Sequence, residues 1–173
     1  MISPGAMVVI VMGVSGSGKT TIGRLLAETL GWSFREGYDL HPPANLQKMA
    51  AGIPLTDADR LPWLQALRAL IERCLATREN AAVACSALKV SYREILAGGL
   101  DGVRFIHLTG SRDLIRDRLE QRHGHFMKAR MLDSQLAALE PPSHALEVDV
   151  AGRPEEIVAE IREWLEKAPA ETR

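Results

Sequence analysis

Short apolar runs alternate with stretches whose apolar positions recur at helical spacing, along the whole of the 173-residue chain. That alternation predicts an α/β fold in which a parallel sheet is covered by helices on both faces. The first run, MVVIVM at 7–12, is continuously apolar and β-branched, as a strand buried on both sides requires. WSFRE (32–36), AAVACS (81–86), VRFIHLTG (103–110) and ALEVDV (145–150) predict further strands. Between them, Ile22, Leu25, Leu26 and Leu30 share one helical face, and Gly31 suits a left-handed cap. Prolines can open a short helix over 42–51, which Gly52 and Pro54 must end. Leu64, Leu67, Leu70, Ile71, Cys74 and Leu75 form the stripe of a longer helix; Asp59 is its expected N-cap, with Pro62 in the first turn. Helices are also expected around SYREILA, at Leu114, Ile115 and Leu119, and at Met131 to Leu139 before Pro141 and Pro142. A terminal helix opens at Pro154 and turns Ile157, Ile161, Trp164 and Leu165 inward.

Composition narrows the partners. The chain is 46% hydrophobic and 25% charged, enough for a core, and its length fits one domain over 1–173. Its 21 basic and 22 acidic residues are interspersed, giving a net charge of -1, which argues against nucleic acid or a membrane as the principal partner and for a small molecule. Cys74 and Cys85 read as reduced thiols of a cytoplasmic protein. MVVIVM is too short for a membrane span or a signal-peptide core. MISPGA before it resembles a loose leader, so Met7 is an alternative start.

Chemistry enters at GVSGSGKT, residues 13–20, which matches G-x-x-x-x-G-K-[ST] between a predicted strand and a predicted helix. Gly13, Gly16 and Gly18 allow a tight loop through Val14, Ser15 and Ser17 whose N–H groups turn inward, and the helix N-terminus beginning at Thr20 and Thr21 adds positive potential for a phosphate. Lys19 is expected to reach the β- and γ-phosphates and Thr20 to ligate Mg²⁺. A GTPase is disfavoured because no N/T-K-x-D stretch reads guanine, and a motor ATPase would need a longer chain. Small-molecule phosphoryl transfer fits. The strand AAVACS ends without an acid to support Mg²⁺, so Glu36, at the end of the second strand, is the expected metal-site carboxylate.

Three further stretches are more specific: LHPPANLQKMAAGIPLTDADRLPWLQAL (40–67), CSALKVSYREIL (85–96) and GHFMKARMLDSQLAALEPP (124–142). With the phosphate loop they resemble the P-loop gluconate kinases (gluconokinases), relatives of shikimate and nucleoside monophosphate kinases, over about Val8 to Val150. The resemblance implies a P-loop three-layer fold with a helical lid at about 122–142 and a substrate-binding insertion at about 37–62. It also implies a homodimer that uses ATP and Mg²⁺ to phosphorylate the 6-hydroxyl of D-gluconate, giving 6-phosphogluconate. The alternatives are a kinase of another small acid or polyol, shikimate-like, and an ATP-binding regulator without catalysis.

An acceptor that is both polyol and carboxylate needs hydrogen-bonding groups and a cation. Arg60, whose planar fork matches a carboxylate, is favoured, with Lys89 next; Arg60 could instead pair with Asp57 or Asp59 at a helix start. His41 is expected either to bind substrate hydroxyls or to cap the helix after it, and Ser86 either to contact substrate or phosphate or to cap a helix near Leu88. Arg118 and Arg122 lie on one helical face; by resemblance the first stacks on adenine and the second clamps phosphate during catalysis, unless both belong to a solvated face. His123 and His125 read as lid residues rather than metal ligands. At REGYD (35–39) the chain departs from the family's acid-small-acid pattern. Glu36 can replace the first acid, but Tyr38 cannot act as a carboxylate base because a phenol titrates near ~10. Tyr38 remains a substrate-contact candidate, and Asp39 either supplies the second carboxylate or caps a turn.

Overall fold

The structure is a computed structural model that describes residues 5–122 and 126–167, with 126–130 as backbone alone. Its strands are β1 (Val8–Met12), β2 (Ser33–Glu36), β3 (Ala81–Ala84), β4 (Val103–Thr109) and β5 (Ala145–Asp149). The helices are α1 (Lys19–Leu30), α2 (Pro43–Ala50), α3 (Asp57–Ala76), α4 (Val90–Ala97), α5 (Arg112–Gln121), α6 (Phe126–Ala138) and α7 (Pro154–Lys167). The strands form one parallel sheet in the order β2-β3-β1-β4-β5, with Val8 of β1 opposite Ala81 on one side and Val103 on the other.

Period-two alternation in β1 divides the core. Val8, Ile10 and Met12 pack with Leu64, Leu67 and Ile71 of α3 and Leu96 of α4, whereas Val9 and Val11 face Leu26 of α1 and Ile157 and Ile161 of α7. Each such aliphatic side chain contributes about 1.5–3 kcal/mol when fully buried, so both faces of the sheet hold it in place. A third cluster joins Val14 of the phosphate loop to Leu88, to Ile115 and Leu119 of α5, and to Leu132 of α6. The connections after β1 and β4, which are neighbours, leave toward opposite sheet edges, so a crevice opens at their carboxyl ends.

Two predicted caps are corrected. Asp59 is not the N-cap of α3; Thr56 is, through a reciprocal box in which Thr56 Oγ1 accepts the Asp59 N–H at 3.1 Å and Asp59 Oδ2 accepts the Thr56 N–H at 2.9 Å. Two orphan donors are satisfied at once, which favours the earlier start and leaves Pro62 inside the helix rather than in its first turn. Nor does Ser86 cap α4: the N-cap is Lys89, without a side-chain bond, and the Val90 N–H donates instead to Glu140 Oε2 at 2.6 Å.

Candidate functional site

The phosphate loop runs from β1 into α1. Gly16, at φ +82°, has no room for a side chain, since a Cβ there would stand 2.7 Å from Leu119 Cγ; the loop is therefore seated directly on α5. Lys19 Nζ donates to Val14 O at 2.9 Å, folding the lysine back over the loop. Burial lowers its pKa to about 8, and the Arg122 charge adds to that lowering, while Cys85 and Glu36 act in the opposite sense. Ser17 Oγ is buried without a partner among the described residues, leaving a donor unsatisfied within the loop.

Thr20 and Glu36 come together as expected, with Thr20 Oγ1 donating to Glu36 Oε2 at 2.5 Å. No cluster of three or more His, Cys, Asp or Glu exists among the described residues. That donor set fits Mg²⁺, which is usually held by one or two carboxylates together with substrate phosphates rather than by an all-protein cage. Cys85, directly after β3, is buried, and burial pushes its thiol up to about 12.

After Glu36 the chain does not continue as a strand. Residues Gly37–Leu40 form a 3-10 turn, capped by Glu36 through the Tyr38 N–H and pinned by Trp63 Nε1, which donates to Gly37 O at 2.8 Å. Gly37 is required, since a Cβ would lie 2.3 Å from Ala84 O. Tyr38 is 53% exposed, with its ring edge-on to His41; Asp39 is exposed and its carboxylate makes no hydrogen bond among the described residues, so it caps nothing there.

Beside the loop lies a cavity of about 120 Å³, lined by His41, Arg60, Trp63, Ser86 and Gln135 among others. His41 stacks on Trp63 with ring centroids 4.2 Å apart. Its Nδ1 faces the amide nitrogen of buried Asn45 at 3.2 Å; that nitrogen can only donate, so the imidazole proton sits on Nε2. Burial, reinforced by Arg60, lowers the His41 pKa to about 4, which makes it a neutral donor at pH 7. It does not cap α2, whose N-cap is Pro42 without a side-chain bond.

Arg60 Nη1 donates to Leu55 O at 2.6 Å and to the Tyr92 hydroxyl at 3.3 Å. Neither aspartate beside it is its ion-pair partner: Asp57 takes Lys89 at 3.0 Å and the Tyr92 hydroxyl, and Asp59 takes Lys48 at 2.9 Å. Arg60 therefore stands at the cavity wall with no carboxylate partner among the described residues. Lys89, committed to Asp57, is not part of that wall. Ser86 is, and its carbonyl accepts the Gly13 N–H at 3.4 Å, tying cavity to loop. Arg118 donates to Val150 O at 2.7 Å, whereas exposed Arg122 ends α5. Thr21 is exposed on α1; His123 and His125 lie outside the described residues.

Sequence reasoning passed over Arg93. It is buried, donates to Ala87 O at 2.7 Å, Leu88 O at 3.1 Å and Glu140 O at 2.7 Å, and so holds the loop after β3 while Ala87 sits at φ +45°. A non-glycine residue in that region persists only where its surroundings over-determine it. Within SYREIL the arginine reads as a solvated helix charge, and nothing local marks it otherwise.

The sequence profile of a family described as an AAA domain matches residues 8–142. A gluconokinase of Gluconobacter oxydans is 52% identical over 133 residues, covering 77% of this chain and 75% of its own. The chain belongs to the gluconokinase family. A crystal structure of a gluconokinase from Sinorhizobium meliloti superposes with a TM-score of 0.83 at 47% identity, over 96% of this chain and 94% of that one. Shikimate kinase from Aquifex aeolicus, 17% identical with a TM-score of 0.57 over 92% of this chain and 96% of its own, shares the fold alone. Against the gluconokinase pattern, the Glu36-Gly37-Tyr38 departure falls where β2 passes into the 3-10 turn, outside the cavity wall.

Proposed function

We propose that this gluconokinase-family chain transfers the γ-phosphoryl group of ATP to the 6-hydroxyl of D-gluconate. The observation that carries the reading is Arg60: a fork-shaped cation without a carboxylate partner among the described residues, on the wall of a cavity that adjoins the phosphate loop. A sugar acid supplies the missing carboxylate. Neutral His41 offers Nε2–H to its hydroxyls, and Trp63 gives an apolar wall of the kind that polyol C–H faces need.

Lys19 and N–H groups of the phosphate loop would hold the phosphates, Thr20 and Glu36 would hold Mg²⁺, and Arg122 stands where its charge is felt by Lys19. Mg²⁺ supplies neutralisation of charge on the β- and γ-phosphate oxygens. Transfer rests on positioning and charge rather than on a strong base, so exposed Asp39 is a weaker candidate for the acceptor proton than its place in the family pattern implies. Arg118, anchored to Val150 O, is the adenine platform that the resemblance implies. The same reading includes a lid around 122–142, a homodimer and a cytoplasmic setting, the last of which suits two buried free thiols. A coupled assay over D-gluconate, its epimers and shikimate tests the acceptor. D-Gluconate is expected to give the highest kcat/KM; a higher value for shikimate overturns the assignment.

A further inference from the structure

The phosphate loop and the acceptor cavity share one side chain. Gln135 of α6 lines the cavity, yet its Oε1 accepts the Ser15 N–H at 2.6 Å and its Nε2 donates to Ser15 Oγ at 3.0 Å. Both ends of the carboxamide are thereby committed to one loop residue. The helix that presents it has contacts on either side: Arg112 of α5 pairs with Asp133 at 2.5 Å, and beyond α6 the Glu140 N–H donates to Leu88 O at 2.8 Å while Arg93 donates to Glu140 O.

Inward N–H groups of such a loop are donors for phosphate oxygens, and an N–H has one proton to give. At Ser15 a phosphate oxygen and the Gln135 carboxamide are therefore alternatives. We propose that Gln135 is a positioning residue that couples the two sites. It holds Ser15 until a phosphate oxygen takes that donor, and its released carboxamide then hydrogen-bonds a hydroxyl of the polyol in the cavity. A polyol that draws Gln135 away frees the same N–H for phosphate, so each substrate strengthens binding of the other, as linkage requires. The identity of the polyol rests on the proposed function; the competition for Ser15 does not.

Calorimetry with a non-hydrolysable ATP analogue and Mg²⁺, with and without D-gluconate, tests this on the wild type, Gln135→Leu and Gln135→Asn. The wild type is expected to show mutual tightening of about fivefold or more. Gln135→Leu removes the polar contacts at similar volume, so the analogue alone binds about two- to tenfold tighter and the coupling ratio falls to near one. Gln135→Asn keeps the amide but is too short to reach Ser15, and is expected to behave alike. A merely structural role would weaken nucleotide binding in both variants and leave the ratio intact; either result overturns the inference, as does a wild-type ratio of one. Failure of the wild type to phosphorylate D-gluconate counts instead against the functional reading, and the analogue-alone arm still decides whether Gln135 competes for Ser15.

Discussion

Lys19 stands between opposing influences. Burial brings its pKa to about 8, whereas a polyphosphate beside it stabilises the charged form. Between those two values the complex holds more protons than the free enzyme, so nucleotide affinity falls as pH rises through that window. Calorimetry in two buffers of different ionisation enthalpy should therefore show proton uptake on nucleotide binding near pH ~8.5 and almost none near ~6.5. No uptake at the higher pH would remove Lys19 from the phosphate contact. Arg60 makes a separate claim at the same scale. Arg60→Ala should raise KM for D-gluconate by about 10- to 150-fold with kcat little changed, the size expected for hydrogen bonds to a charged group. An equal loss in kcat with KM unchanged would place Arg60 at the transferred phosphoryl group instead.

At the scale of elements, the start of α3 shows what a local signal can and cannot say. T-D-A-D at 56–59 contains a capping box with aspartate in the glutamate position, so the true cap was present in the sequence; the stripe beginning at Leu64 drew the start toward Asp59. Asp59 is held to a pKa of about 2, first by Lys48 and then by the Thr56 backbone. Its folded pKa lies below its unfolded one, so its contribution is present above pH ~4 and is lost as pH falls toward ~2. Asp59→Asn should flatten the acid limb of stability across that interval, followed by circular dichroism; an unchanged limb would show that the Lys48 pair does not matter to folding. The turn after β2 was illegible for a different reason. Its path is set by Trp63 and by the close approach of Ala84 O to Gly37, contacts made by residues distant in the chain.

For the whole molecule, alternation of apolar runs and helical stripes was enough to announce a parallel sheet with helices on both faces, because β1 and β3, buried throughout, read as continuous apolar runs. Strand order was not: the placement of β3 between β2 and β1 depends on where α3 packs, which no window of the sequence reports. The site divides the same way. The loop 13–20 and the Thr20 contact with Glu36 were legible because motif and element order fix them, whereas Arg60 and His41, which line the cavity, were singled out only by the chemistry that a polyol carboxylate needs. Lys89 was assigned to substrate but is taken by Asp57, and Gln135 was overlooked, because both choices are made by α4 and α6 closing on neighbours far along the chain. The central claim remains chemical. Incubation with ATP, Mg²⁺ and D-gluconate, followed by phosphorus NMR and mass spectrometry of the product, should give 6-phosphogluconate with the wild type and none with a folded Lys19→Ala variant. A folded, nucleotide-binding wild type that yields no 6-phosphogluconate would contradict the account.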